Sequence, residues 1–144
     1  MLACEYNPAE AIKTNINGAQ NVIDAVLNKG VKKVVVLSAN KAVNPVNLYG
    51  STKLVLDKLS FAANAYVGSK DICLSIVRYG NVAGSCGSVI PLFHNIIKNG
   101  GTELPITDYR MIRFWISLWQ GVELVIKAWR NPRVVRPLFP RSLL

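Results

Sequence analysis

Apolar residues at helical spacing alternate along the chain with short, uninterrupted apolar runs, and this pattern predicts alternating helices and strands. A first helix should begin with Asn7 as its cap and Pro8 in its first turn, and should end at 28–30. Its helically spaced apolar positions are Ile12, Ile16, Ala19, Val22, Ile23, Val26 and Leu27. The apolar run 33–37 that follows is typical of a buried strand.

The rest of the chain continues this alternation. A loop over 38–48 should lead into a helix over about 49–65 and a second strand over 72–79, followed by a glycine-rich loop, 80–87. A short helix over 91–98 and an extended segment over 102–108 come next. Ser117 and Gln120 have capping-box spacing and open a last helix. That helix has one apolar side, formed by Leu118, Val122, Val125, Ile126 and Trp129. Helix–strand–helix–strand order predicts an α/β fold with a parallel sheet.

The composition bounds the class of protein. The 144 residues are 51% hydrophobic and 17% charged, which favours one globular domain over disorder. No apolar run is long enough to cross a membrane, and no signal peptide is expected. The three cysteines have no metal-ligand spacing, so we expect a reduced, cytoplasmic protein without a metal site. The single histidine, His94, has no evident partner and is expected on a helix surface.

The net charge of +9 is concentrated at the end of the chain. The last fifteen residues carry four arginines and no acid, and 17 minus 4 leaves 13 basic against 8 acidic residues, or +5. Three prolines and the lack of periodicity predict an irregular tail. We therefore expect no nucleic-acid partner. DNA retention that survives deletion of residues 130–144 would favour that alternative.

Tyr49 and Lys53 are the first candidates for chemistry. They are four residues apart at the start of a predicted helix, so they share one face. A lysine cation beside a tyrosine should lower the pKa of the phenol, which could then exchange protons with an alcohol. Such pairs are more often plain surface neighbours. Ser38 adds weight, because it ends the preceding strand, where ligands bind in open α/β sheets.

The loop 80–84 is the second candidate. It could hold a diphosphate on its backbone amides, or it could be a plain flexible loop. The loop lacks the glycine pattern of the dinucleotide-binding fingerprint. The sequence also does not begin with a strand, a glycine-rich turn and a helix in that order.

Five segments, in order, resemble one family: 5–8, 13–15, 44–53, 78–82 and 111–115. The family is the inverting UDP-N-acetylglucosamine 4,6-dehydratases of capsule and pseudaminic-acid biosynthesis. These are extended short-chain dehydrogenases that use NADP. The resemblance reaches from 5 to about 127. It implies a Rossmann-type fold, a UDP-sugar substrate and a homo-oligomer.

The resemblance also implies roles for individual residues. Tyr49 and Lys53 would serve oxidation at carbon 4 of the sugar, and Lys41 would remove the proton of carbon 5. The residue at position 40 would help expel the hydroxyl at carbon 6. The cofactor site would include Ser38, Tyr49, Lys53 and Tyr79. The substrate site would include Asn81, Gly84, Ser85 and Arg113.

The chain departs from the family pattern at several positions. The family usually has Ser-Thr-Asp-Lys where this chain has Ser-Ala-Asn-Lys at 38–41, and Asn40 cannot donate an acidic proton. Residues 84–87 have a cysteine where the family often has arginine. A sugar-nucleotide epimerase, which needs Tyr49 and Lys53 but no acid at position 40, is therefore an alternative. A non-catalytic remnant is another.

The resemblance predicts three parts of a truncated fragment. Residues 1–80 would be the C-terminal half of an NADP-binding Rossmann domain, and residues 81–129 part of the substrate-binding region. Residues 130–144 would be a basic tail foreign to the family. Codons for this tail, read one base earlier, can encode a peptide that resembles the family, so a frameshift origin is our hypothesis.

Overall fold

The computed structural model describes residues 2–85, 88–112 and 114–132, in which helices surround short parallel strands. The first half contains α1 (Leu2–Tyr6), α2 (Pro8–Ile12), a π-helical turn (Lys13–Asn17), α3 (Gly18–Lys29), β1 (Lys33–Ala39), a 3-10 turn (Asn40–Ala42) and α4 (Leu48–Tyr66). The second half contains β2 (Cys73–Tyr79), β3 (Asn81–Val82), α5 (Val89–Lys98), β4 (Trp115–Ile116) and α6 (Leu118–Arg130). The predicted α/β fold with a parallel sheet is confirmed.

The first predicted helix is observed as α2, the π-helical turn and α3. It begins at Pro8 and ends at Lys29, where Gly30 adopts a left-handed conformation (φ 68°) that favours glycine. Asn7 occupies the cap position, but its side chain makes no cap hydrogen bond. Only part of the predicted apolar face is buried, because Ile12 and Val22 are exposed. Helix α1 was not predicted.

Two layers of helices cover the main sheet. Strands β1 and β2 are paired in parallel from Lys33 opposite Cys73 to Ala39 opposite Tyr79. On one face, α3 and α4 pack against the sheet in a core formed by Ile23, Val26, Ala63, Val67, Ile72 and Leu74. On the other face, α6 packs through Leu124 and Ala128 against Val77. The carboxyl ends of both strands therefore lie at one edge of the sheet, between the two layers of helices.

Helix α6 begins as predicted, and its buried residues are Leu124 and Ala128. Ser117 Oγ accepts from the Gln120 amide (3.2 Å), and Gln120 Oε1 accepts from the Ser117 amide (2.8 Å), so the capping box is formed. Of the apolar side expected from the sequence, Val125 packs beside Leu124 and Ala128, whereas Leu118 is 69% and Trp129 54% exposed. Small residues allow a close approach to a sheet, and the buried side of α6 contains Ala128.

Two further differences concern short strands and a sheet edge. The predicted extended segment 102–108 contains no strand, whereas Trp115 and Ile116 form β4, which pairs with β3. The Asn64 side chain covers the start of β2, since its Nδ2 donates to the Leu74 carbonyl (2.8 Å) and its Oδ1 accepts from the Leu74 amide (2.9 Å). Within the described residues, β1 is paired only with β2, so its other edge is open.

The described part of the chain contains no helix that combines the length and the apolar character needed to cross a membrane.

Candidate functional site

A cleft of about 930 Å³ opens at the carboxyl ends of β1 and β2. Six of the predicted site residues line it: Asn40, Lys41, Tyr49, Tyr79, Asn81 and Ser85. The remaining wall is largely apolar and includes Val89, Ile90, Ile112, Phe114 and Trp115. The cleft thus has a polar side at the strand ends and an apolar side, as ligand sites commonly do.

Lys41 connects two segments of the polar side. Its Nζ donates to Asn81 Oδ1 (2.9 Å), at the start of β3, and to Asn40 Oδ1 (3.2 Å), in its own 3-10 turn. The sequence predicted these three residues separately. The structure joins them in one hydrogen-bonded cluster.

Tyr49 lies in the first turn of α4 and also lines the cleft. Burial raises the pKa of Tyr49 above its ordinary value of 10.0, and the neighbouring Tyr79 and Cys4 raise it further. The predicted lowering of this pKa by Lys53 is therefore wrong. The Lys53 amine lies over the Tyr49 ring, 5.9 Å from the ring centroid. From there it does not outweigh the effect of burial on the pKa of the hydroxyl. At neutral pH, Tyr49 is a phenol that can donate a hydrogen bond or a proton.

Two predicted cofactor residues lie outside the cleft. Lys53 lines a separate groove of about 450 Å³ between α3, β1 and α4. Ser38 is 2% exposed, and its Oγ has no hydrogen-bond partner among the described residues. Side chains alternate between the faces of a strand, so Ser38 shares the face of Val34, which packs under α3 and α4.

The substrate residues are only partly placed. Ser85 lines the cleft, whereas Gly84 (φ 74°) lies in the turn beside it and does not. Arg113, Cys86, Gly87 and residues 133–144 are outside the described residues, so the predictions for them are untested.

Gly50 was missed as a site residue. A side chain on Gly50 would overlap the carbonyl oxygen of Lys41 and press on Pro45 at 3.0 Å. The lack of a side chain therefore allows the first turn of α4 to lie directly on the turn that carries Lys41. This contact holds Tyr49 and Lys41 in one cleft. The adjacent Tyr-Gly pair was the available signal.

Contacts below the first turn of α4 were also missed. Thr52 Oγ1 donates to the Tyr49 carbonyl (2.9 Å) and accepts from Asn15 Nδ2 (3.1 Å), which belongs to the π-helical turn. Asn15 lies in a segment that resembles the family, but its residue type pointed to no chemistry. A contact across 37 residues leaves no local pattern in a sequence.

A buried ion pair joins α4 to β2. Both Nε and Nη2 of Arg78 contact Asp57 Oδ2, at 2.7 and 2.6 Å. The Asp57 side chain is 1% exposed and that of Arg78 14%. The pair connects the helix of Tyr49 and Lys53 to the strand that ends in Tyr79.

Comparison with known sequences gives the family. Residues 2–134 match the model of a family described as "Polysaccharide biosynthesis protein". The chain is 62% identical to an inverting UDP-N-acetylglucosamine 4,6-dehydratase of Campylobacter jejuni, over 85% of this chain and 36% of that protein. It is 48% identical to a UDP-glucose 4-epimerase of Rickettsia akari, over 90% of this chain and 38% of that protein. The chain thus spans little more than a third of these relatives.

Solved structures of other proteins are also similar to this chain. Pen from Bacillus thuringiensis is 48% identical and superposes with a TM-score of 0.85, over 90% of this chain and 40% of that one. A double mutant of DesIV, a dTDP-glucose 4,6-dehydratase from Streptomyces venezuelae solved with NAD, is 22% identical with a TM-score of 0.78, over 94% of this chain and 48% of that one. The second likeness concerns the fold alone, and it confirms the predicted Rossmann-type architecture. With a match that covers residues 2–134, this chain belongs to the polysaccharide biosynthesis protein family.

Proposed function

We propose that this chain carries the acid–base residues of an NADP-dependent UDP-N-acetylglucosamine 4,6-dehydratase of surface-polysaccharide or pseudaminic-acid biosynthesis. The observation that supports this most directly is the cluster of Lys41, Asn40 and Asn81 in the same cleft as Tyr49. The 62% identity to the Campylobacter enzyme points the same way. The matched region is about a third of that enzyme, so the proposal concerns these residues within a full-length protein.

Tyr49 would exchange a proton with the oxygen on carbon 4 of the sugar. Its raised pKa keeps the hydroxyl protonated at neutral pH, so in this chain it is ready to donate to a carbonyl oxygen. Oxidation of the alcohol needs the deprotonated form. Surroundings that favour the phenolate must therefore be completed when cofactor and substrate bind.

Lys41 would act on carbon 5 once carbon 4 is a ketone, because the neighbouring carbonyl makes that proton acidic. In the elimination, the carbon 5 proton passes to the Lys41 amine, a double bond forms between carbons 5 and 6, and the bond to the carbon 6 hydroxyl breaks. The departing hydroxide needs a proton. Asn40 holds the Lys41 amine, but an amide cannot supply that proton.

The residues present fit one end of a nicotinamide dinucleotide. Lys53 makes no ion pair within the described residues and lies beside Tyr49, so its amine can donate to a ribose hydroxyl. The glycine-rich turn that usually holds the pyrophosphate does not occur in this sequence. When bound, the cofactor would accept and return the hydride. The related DesIV structure contains NAD, and NADP is our proposal for this chain.

An epimerase is the second candidate. The 48% identity to the Rickettsia UDP-glucose 4-epimerase favours it, as does Asn40, because inversion at carbon 4 requires no acid at carbon 6. Both candidates share the UDP-sugar, Tyr49 and Lys53. They differ in whether the carbon 6 hydroxyl is lost.

A graft tests the proposal. Residues 2–127 would replace the matching segment of the Campylobacter enzyme, with Asn40 or with Asn40→Asp, and Tyr49→Phe would serve as the inactive control. Formation of the 4-keto-6-deoxy sugar is measured together with deuterium uptake at carbon 5. We expect dehydration to be at least about tenfold faster with Asn40→Asp, because acid–base assistance is typically worth about 10²–10⁴-fold.

The other outcomes are separable. If both grafts dehydrate the sugar at the same rate, the acid that protonates the carbon 6 hydroxyl lies elsewhere. That result would contradict the proposal that Asn40 slows dehydration. Interconversion of carbon 4 epimers without dehydration selects the epimerase. A folded graft that does neither, even with Asn40→Asp, supports a non-catalytic chain.

We also propose a cytoplasmic location and a homo-oligomer. Cys4 and Cys73 are free thiols, which agrees with a reducing compartment. The division into a cofactor half, residues 1–80, and a substrate half, residues 81–129, likewise remains our proposal.

A further inference from the structure

Helix α1 contacts the start of the helix that carries Tyr49. Leu48 is the first residue of α4, and amides in this position have no acceptor within their own helix. The Leu48 amide donates to Glu5 Oε1 at 2.7 Å, across 43 residues of sequence. Asn47 satisfies the Gly50 amide in the same turn (2.9 Å). Glu5 therefore supplies the acceptor that α4 itself cannot provide for Leu48.

Two sets of contacts fix the position of Glu5. The backbone amide and the side-chain Nδ2 of Asn7 both donate to the Ala3 carbonyl, at 3.0 and 3.4 Å, and close a corner before Pro8. Pro8 then opens α2, whose continuation carries Asn15 to Thr52 of α4. The segment 5–8, to which the proposed function gives no role, is thus a structured corner against the first turn of α4.

The same corner brings α1 close to Tyr49. Cys4, the neighbour of Glu5, is near enough to influence the titration of Tyr49. Among the described residues, the ionisable groups near Tyr49 include Cys4 from α1, Tyr79 from β2, Lys53 from α4 itself and Lys41, which lines the same cleft from the 3-10 turn. Glu5 does not line the cleft, so any effect it has on Tyr49 must act through the helix.

We propose that Glu5 is a positioning residue, which holds the first turn of α4 through the Leu48 amide and thereby fixes Tyr49 beside Tyr79 at the cleft. The significance of this for catalysis rests on the proposed function of Tyr49. Three substitutions separate the position of the acceptor oxygen from the negative charge. Glu5→Ala removes both, Glu5→Gln keeps the acceptor without the charge, and Glu5→Asp keeps the charge on a shorter side chain.

The experiment uses the complete 144-residue chain and two NMR readouts. Hydrogen exchange of the Leu48 amide reports the contact, and titration of ¹³Cζ-labelled tyrosine reports the surroundings of Tyr49. Glu5→Ala and Glu5→Asp should speed Leu48 exchange about tenfold, the usual effect of losing a helix cap. Both should also move the pKa of Tyr49 down toward its ordinary value. Glu5→Gln should match the parent chain in both readouts.

Glu10→Ala is the matched control, because the Glu10 carboxylate accepts from Lys13 on an exposed surface (2.8 Å) rather than from the first turn of α4. It should change neither readout. If Glu5→Ala does not fold, the contrast between Glu5→Gln and Glu5→Asp still decides. The proposal is overturned if Glu5→Asp matches the parent, or if Glu5→Gln behaves like Glu5→Ala. Neither readout needs turnover, so an inactive graft leaves this result interpretable.

Discussion

Replacing Asp57 with alanine should strongly destabilise the fold. Asp57 is 1% exposed and is the anion that two guanidinium nitrogens of Arg78 contact, at 2.7 and 2.6 Å. Its removal leaves the Arg78 charge, which is only 14% exposed, without that carboxylate. Breaking a buried pair from one side typically costs about 3–5 kcal/mol. At about 3 °C per kcal/mol for a chain of this size, the melting temperature should fall by roughly 10–15 °C.

Circular dichroism during heating and in urea measures this effect, and the chain contains its own control. Asp108 and Arg110 form an ion pair with two side-chain hydrogen bonds (2.8 and 3.0 Å), and Asp108 Oδ1 also accepts from the Arg110 amide (2.9 Å), but Arg110 is 75% exposed. Asp108→Ala should leave the melting temperature unchanged, since water screens such pairs. The double variant Asp57→Leu/Arg78→Met should recover most of the loss, because it removes both charges. Our reasoning is refuted if Asp57→Ala costs no more than Asp108→Ala, or if the double variant is no more stable than Asp57→Ala.

Four further predictions concern the site and the open surfaces. Gly50→Ala should destabilise the chain by about 1–3 kcal/mol in urea unfolding, because its side chain would meet the Lys41 carbonyl. Gly18→Ala, whose nearest contact would be 3.6 Å, is the control and should be neutral or stabilising. The raised pKa of Tyr49 contributes stability that is complete below about pH 10 and is lost as pH rises through that pKa. Tyr49→Phe should therefore lose less stability in alkaline melting curves than the parent chain. The isolated chain should purify without NADP, and a stoichiometric 340 nm signal after reduction of released cofactor would contradict this. It should also self-associate in analytical ultracentrifugation, because the edge of β1 is open and Leu118, Trp119 and Trp129 are exposed; a cooperatively melting monomer would argue against this.

Local signals predicted most elements of the fold. The strands β1 and β2 and the helix α4 were placed within two residues of their ends, because apolar runs and cap residues determine them locally. The capping box of α6 was found for the same reason. The burial of Ala128 was not predicted, because a count of large apolar residues at helical spacing does not single out a small residue that lets the helix lie close to the sheet. The strand β4 is two residues long and leaves no periodic pattern.

The candidate site was predicted as a set of residues rather than as an arrangement. Spacing correctly placed Tyr49 and Lys53 on one helix, but it could not show how burial changes the pKa of Tyr49. The contact of Lys41 with Asn81 spans 40 residues, and that of Glu5 with Leu48 spans 43. Hydrogen bonds across such distances depend on how the elements pack, which no local pattern contains.

The Asn64 side chain limits how an assembly of copies can grow. Two copies that meet through β1 can extend the sheet across their shared edge. A third copy would have to add at β2, where the Leu74 amide and carbonyl are already engaged by Asn64. Association through sheet edges should therefore be weaker at β2 than at β1, which favours a closed pair over a fibril. One asparagine on a neighbouring helix thus protects the start of β2 against pairing with another copy.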